Sequence, residues 1–204
     1  MARPKIVVDT ETGGLEPAEH PLIEIAAVNL ETGQVLSAFR PLYDFELEEC
    51  EPEALELNHY WVAAQSVRDL RRARAEFDAR FVELMTWLHG ATMVAVNPAF
   101  DVAALAAHSS RLGLPHINHV RTLAVESLFF GAAGLDLIRD DVPGLDRMCE
   151  MTGTRISPEH RHTALGDALA TAAIVSWCAA QRRAVPAGVA EIEASDQAGV
   201  LPSR

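Results

Sequence analysis

Lysine is almost missing from this chain. Of its 17 basic residues only Lys5 is a lysine, against 29 Asp and Glu, for a formal net charge of −12. That balance argues against holding nucleic acid through overall electrostatics. It leaves room for acids that bind divalent cations and so meet phosphate locally. Cysteine is scarce as well. Cys50, Cys149 and Cys178 are far apart, odd in number and without CxxC or Cys/His metal spacing, which excludes a thiolate metal site and fits free thiols in a reducing, cytoplasmic compartment. Long apolar runs are also lacking. The most apolar segment, Ala168–Ala180, falls well short of the roughly 20 residues of a membrane span, so it reads as a buried helix. Only three apolar residues separate Lys5 from Asp9, too few for a signal peptide. No membrane association and no internal repeat is expected.

What remains is a globular composition: 204 residues, 49% of them hydrophobic, enough for one domain with a substantial core and short for two. Lys5–Asp9 reads as a short apolar strand, and Leu22–Leu30 as a second, with Glu24 and Asn29 as polar breaks. Residues 31–34 ("ETGQ") form a turn and Val35–Leu42 returns, giving an antiparallel meander. The acidic stretch Asp44–Glu56 is poorly periodic and leads into a short helix over "PEALELNHYW". Phe77, Phe81, Leu84, Met85 and Leu88 have helical spacing, so a helix is expected over 75–89. Met93–Val96 reads as a strand, Phe100–Leu112 as a helix opened by the Asn97-Pro98 turn, and Ile117–Leu123 as a further strand. Leu145–Met151 and Thr163–Gln181 are helices. A meander followed by alternating helix and strand predicts an α/β sandwich on a mixed sheet. Residues 1–180 are the expected domain, and 181–204, with little periodicity, a flexible or partner-binding tail.

Three places in this frame carry carboxylates. Asp9 and Glu11, in "IVVDTETGGL", share one face of a strand. They repel unless a cation lies between them, although a strand running into a turn looks the same. Asp101, in "VAVNPAFDVAAL", opens a helix beside a buried sheet, where it is equally a partner of the helix dipole. Asp167, in "HRHTALGDALATAA", lies among small apolar residues, where an unpaired charge is costly. His162 precedes it by five, off its helical face. To share a site, His162 must arch back from the loop, with Thr163 as N-cap; otherwise it is an exposed loop histidine. Arg68, Arg71, Arg72 and Arg74 form either a solvated helix face or a phosphate track. Four acids on core elements with a loop histidine are the parts of a two-metal phosphodiesterase site, and hard oxygen ligands suit Mg²⁺ or Mn²⁺.

These stretches resemble the motifs of the DnaQ-like DEDDh 3′–5′ exonucleases. "VVDTETGGL" is similar to the first motif, "NPAFDVAAL" to the second, and "HTALGDALATA" to the third, with the H-x-x-x-x-D spacing kept; "PEALELNHY" also has a counterpart. The resemblance spans Ile6 to Trp177 and implies a ribonuclease H-like α/β/α sandwich with a mixed central sheet, its first three strands an antiparallel meander and the later ones parallel. It further implies two divalent cations, with Asp9, Glu11 and Asp167 at one and Asp9 and Asp101 at the other, and His162 as general base. Thr10, Thr12, Gly13, Leu15, His59, Asn97 and Phe100 are the implied substrate contacts. The implied partner is the 3′ end of a single strand, DNA ahead of RNA or short oligonucleotides, with a polymerase or replication partner reached through the tail. A non-catalytic polymerase-associated module is the reading from another class. The chain departs from the family where Gly13 replaces a common second Thr, Val96 a common His, and Arg121 the usual Asp before Thr122.

Overall fold

β1 (Lys5–Thr12) carries apolar side chains on both faces: Ile6 and Val8 enter one core, Val7 the other. Alternate residues of a strand point to opposite sides, so the part of β1 covered on both, Ile6–Val8, is apolar. The computed structural model describes residues 2–114, 121–136 and 139–181. In it β1 is the centre of a sheet ordered β3-β2-β1-β4-β5, formed with β2 (Leu22–Asn29), β3 (Val35–Phe39), β4 (Thr92–Ala95) and β5 (Arg121–Ala124). The first three strands pair antiparallel, and β4 and β5 continue in parallel. This is the mixed sheet that the sequence implies.

Between β3 and β4 lie α1 (Asp44–Leu47), α2 (Pro52–Leu57), α3 (Tyr60–Ala64) and α4 (Leu70–Leu88). Leu55 of α2 and Tyr60 of α3 form a small core with Ile23 of β2 and Leu42. Phe77, Phe81, Leu84 and Leu88 of α4 cover one sheet face together with Leu105 of α5 (Pro98–Arg111). The opposite face carries α6 (Val125–Ala133), α7 (Leu145–Thr152) and α8 (Ala164–Ala180). Helices on both sides of a mixed sheet make the α/β/α sandwich. Among the described residues no helix is long and apolar enough to cross a membrane.

Several elements differ from the sequence reading. The third strand stops at Phe39 rather than Leu42, because Arg40 turns inward and donates to Glu46 at 2.5 Å. The expected helix over 52–61 breaks at His59, whose φ of +56° separates α2 from α3. Helix α4 begins at Leu70, where Asp69 accepts from the Arg72 N–H at 3.0 Å. The arginine cluster at that end has two fates. Arg72 pairs with Glu76 on the exposed face, while Arg74 turns inward to Glu46 at 2.6 Å and the Pro41 carbonyl at 2.8 Å. Arg74 is therefore a structural cation and no part of a phosphate track. Helix α6 has no counterpart in the sequence reading. The start of the strand expected from Ile117 and the tail beyond Gln181, with the partner assigned to it, lie outside the described residues.

Candidate active site

Asp9 and Glu11 extend the row begun by Val7, so both point toward α8. Helix α8 reaches β1 closely because its sheet side is made of small residues, with Ala164, Gly166 and Ala168 all buried. That approach delivers Asp167. One ligand atom each from Asp9, Glu11 and Asp167 lies within 4.8 Å of the others. The start of α8 is fixed at two points. Thr163 is the N-cap, its hydroxyl accepting from the Gly166 N–H at 3.1 Å, as the sequence suggests. Glu24 stands directly across the sheet from Glu11 and accepts from the Ala164 N–H at 2.9 Å.

The fourth acid is placed separately. Asp101 lies in the first turn of α5, buried, and accepts from the Thr10 hydroxyl at 2.8 Å. Thr10 faces α5 because it alternates with Asp9 and Glu11. Asp101 is thus outside the tight trio, yet close enough that its charge raises the pKa of both Asp9 and Glu11. Asn97, at the N-cap of α5, has a φ of +49°, and its N–H donates to Glu126 of α6 at 3.0 Å. Glu24 and Glu126 are additional acids of the site. Each braces the helix that carries a motif acid, through a contact far off in sequence.

The His162 backbone adopts φ of +60°, which turns the loop back just ahead of Thr163. His59, Asn97 and His162 are the non-glycine residues with positive φ among the described residues, and all three belong to the expected site. Such conformations cost roughly 1–3 kcal/mol each and persist where the surroundings impose them. His59 Nε2 lies 3.0 Å from the Arg161 carbonyl oxygen, tying α3 to the loop before α8. Between them runs a groove of about 510 Å³ lined by Glu53, Glu56, Leu57, His59, Arg161 and His162.

The other expected substrate contacts divide. Leu15 is 78% exposed, Asn97 is exposed, and Phe100 is half-buried. Thr12 is buried and donates to the Gly14 carbonyl at 2.6 Å, so neither it nor Thr10 turns its hydroxyl outward. Both threonines position neighbouring groups. Gly13 uses its N–H on the Pro21 carbonyl at 2.9 Å and its carbonyl on the Glu51 N–H at 2.7 Å. A Cβ on Gly13 would lie 2.3 Å from Cys50 Sγ, which accounts for glycine where the family commonly has threonine.

Burial and like charge push the acids the same way. Burial first, then Asp101, Glu11 and Asp167, holds Asp9 well above the usual carboxylate range. Burial and then Asp167, Glu24 and Asp101 push Glu11 from its ordinary 4.5 up to about 9. Asp101 rises to about 7, chiefly by burial and against the Thr10 hydrogen bond. Asp167 is raised by burial although Arg161 pairs with it. Its Oδ1 is buried with no hydrogen-bond partner. An acid cluster this expensive in protons, with an orphaned carboxylate oxygen and hard donors only, fits divalent cations.

Sheet, layers and acid cluster together point to the nuclease class of domain. A family model described as Exonuclease matches residues 6–175, and the chain belongs to this DnaQ-like exonuclease family, whose members are metal-dependent. A DNA polymerase III subunit epsilon-like protein from Rhodobacter capsulatus is 30% identical over 169 residues, 82% of this chain and 22% of that protein. The structure of E. coli exonuclease I with a dA16 oligonucleotide matches at TM-score 0.62 and 17% identity, over 88% of this chain and 41% of that one. The zinc-bound E. coli exonuclease I complex with single-stranded DNA matches at TM-score 0.65 and 18% identity, over 89% and 41%. The chain therefore spans less than half the length of these proteins.

Proposed function

We propose that the chain is a 3′–5′ exonuclease that hydrolyses the terminal phosphodiester of single-stranded DNA, releases nucleoside 5′-monophosphates and uses two divalent cations, Mg²⁺ or Mn²⁺. The observation that carries this reading is the convergence of Asp9, Glu11 and Asp167 within 4.8 Å from a strand and a distant helix. Asp9, Glu11 and Asp167 would hold one cation, and Asp9 with Asp101 the other. Bound there, the pair lowers the pKa of water and offsets charge on the entering and leaving oxygens. His162 accepts the proton of the attacking water. Leu15 and Phe100 offer apolar surface to the terminal base, and Asn97 a polar edge. Exonuclease I, which shares the fold, is solved with single-stranded DNA, and this supports DNA ahead of RNA. Glu53 and Glu56 in the groove, with the net charge of −12, give a long strand little attraction, so hydrolysis is distributive.

The test is product analysis on 5′-labelled single-stranded and duplex DNA and RNA, with Mg²⁺ or Mn²⁺ and with Asp167→Ala as control. Single-stranded DNA is expected to shorten from its 3′ end to 5′-monophosphates. Preference for RNA would move the substrate within the family. Cleavage from the 5′ end, or none with any substrate, would overturn the reading.

The base has its own signature. Burial, then the Arg161 cation, lowers the His162 pKa below its ordinary 6.5. The ring is competent when neutral, so kcat at saturating Mn²⁺ should fall toward acid as the ring takes up a proton. His162→Asn should remove that limb along with most of the rate. A limb retained in the variant would assign it to another group.

A further inference from the structure

Arg161 is the cation that the acid cluster already holds. Its Nη1 donates to Asp167 Oδ2, and its Nε donates to Asp146 Oδ1 on α7 at 2.5 Å. The same Nη1 lies 3.3 Å from His162 Nδ1. A guanidinium has donors only, so Nδ1 is the acceptor and the neutral ring carries its proton on Nε2. One side chain thus engages an oxygen of the expected metal ligand and the basic lone pair of the expected general base. Its charge also lowers the pKa of Asp9, Glu11 and Asp167.

The two carboxylates that share Arg161 are unequal. Asp167 is buried, whereas the Asp146 side chain is 70% exposed. A guanidinium displaced from Asp167 keeps Asp146 as its partner and enters solvent on that side, so its release leaves no unpaired buried charge. We propose that Arg161 is a resident counter-ion of the metal-free site, which competes with the divalent cation for Asp167, blocks His162 Nδ1 until the cation enters, and is then retained by Asp146. Arg161 is a positioning residue in this scheme. It sets the metal affinity and links metal loading to release of the base. The inference rests on the reading that Asp9, Glu11 and Asp167 hold divalent cations.

The experiment titrates the full chain with Mn²⁺ alone, following free Mn²⁺ by electron paramagnetic resonance, and records melting temperatures in chelator and in saturating Mn²⁺. Arg161→Gln should bind Mn²⁺ roughly 10-fold more tightly, as expected for removing a positive charge a few ångströms from the cation. Its melting temperature should fall in chelator, where Asp167 has lost its partner, and return toward wild type with Mn²⁺. Arg161→Lys keeps the charge without the planar fork that spans two carboxylates, and should lie between. Arg147→Gln removes the same charge from α7, where Arg147 pairs with exposed Glu150, and should leave the affinity unchanged. Equal or weaker Mn²⁺ binding by Arg161→Gln, with the same loss of melting temperature in both conditions, would reduce Arg161 to a structural brace and overturn the proposal. Equal tightening by Arg147→Gln would also overturn it. No Mn²⁺ binding by the wild-type protein would overturn the cation-site reading as well, which distinguishes the two failures.

Discussion

Asp9→Asn is expected to abolish turnover while raising the melting temperature of the metal-free protein. Asp9 is the acid assigned to both cations, and its loss should lower kcat on the order of 10³-fold or more. The stability change has the opposite sign. Burial and the charges of Asp101, Glu11 and Asp167 all oppose ionisation of Asp9, and asparagine has the same shape without the charge. Relief of that repulsion should stabilise the fold by about 1–2 kcal/mol, or roughly 2–8 °C for a chain of this size. The pH dependence follows from the raised pKa values. Glu11 binds its proton more tightly folded, at about 9, than at its ordinary 4.5. Between those values the native state holds more protons than the unfolded state, so stability of the metal-free protein falls as pH rises. The variant, with one repelling charge fewer, should show a shallower fall. Scanning calorimetry in chelator at pH 6 and pH 8.5, with wild-type and variant protein, reads both effects. A variant that melts lower than wild type at pH 8.5 would show that Asp9 stabilises the fold, and the account of a site strained for metal would fail.

The acids of β1 and the Thr163 cap were legible because their rules are local. A period of two puts Asp9 and Glu11 on one face, and a cap acts within three residues of its own position. The first turn of α4 was not legible. Leu70–Arg74 carries charge in place of apolar periodicity, and Asp69 fixes its start. Helix α6 escaped for the opposite reason. "VESLFFGAA" is apolar around most of its surface, β5 ends at Ala124 and α6 begins at Val125 without a side-chain cap. Pattern alone therefore marks no boundary there. Among site residues, the missed ones depend on distant partners. Glu24 read as a polar break in a strand, and its work at Ala164 is 140 residues away in sequence. Arg161 lies just ahead of a recognised motif, and only the packing of α7 beside α8 brings Asp146 to it. Thr10 and Thr12 read as substrate contacts, and their hydroxyls are engaged by Asp101 and the Gly14 carbonyl, since which way a hydroxyl turns depends on what the fold sets beside it.

Gly166→Ala should cost both stability and rate, against the usual effect of that exchange. In an open helix interior, alanine in place of glycine gains up to roughly 1 kcal/mol. At Gly166 the new Cβ would stand 1.9 Å from the His160 carbonyl oxygen and 3.0 Å from Thr163 Oγ1. The first of these is backbone and cannot rotate away. Either α8 or the turn from Ser157 to Thr163 must shift, and the Thr163 cap on the Gly166 N–H loosens with it. Overpacking of this kind costs about 1–3 kcal/mol. The turn carries Arg161 and His162, and α8 carries Asp167, so base and ligand move relative to each other. A displacement of about 1 Å is worth on the order of 10²-fold in rate. Gly131 is the control, because it lies inside α6 with nothing within 4 Å of its Cβ position. Gly131→Ala should match or exceed wild-type stability at unchanged kcat, while Gly166→Ala loses both. Wild-type kcat in Gly166→Ala would mean that the loop is not held against the helix, and His162 would lose the positional basis for its assignment as base.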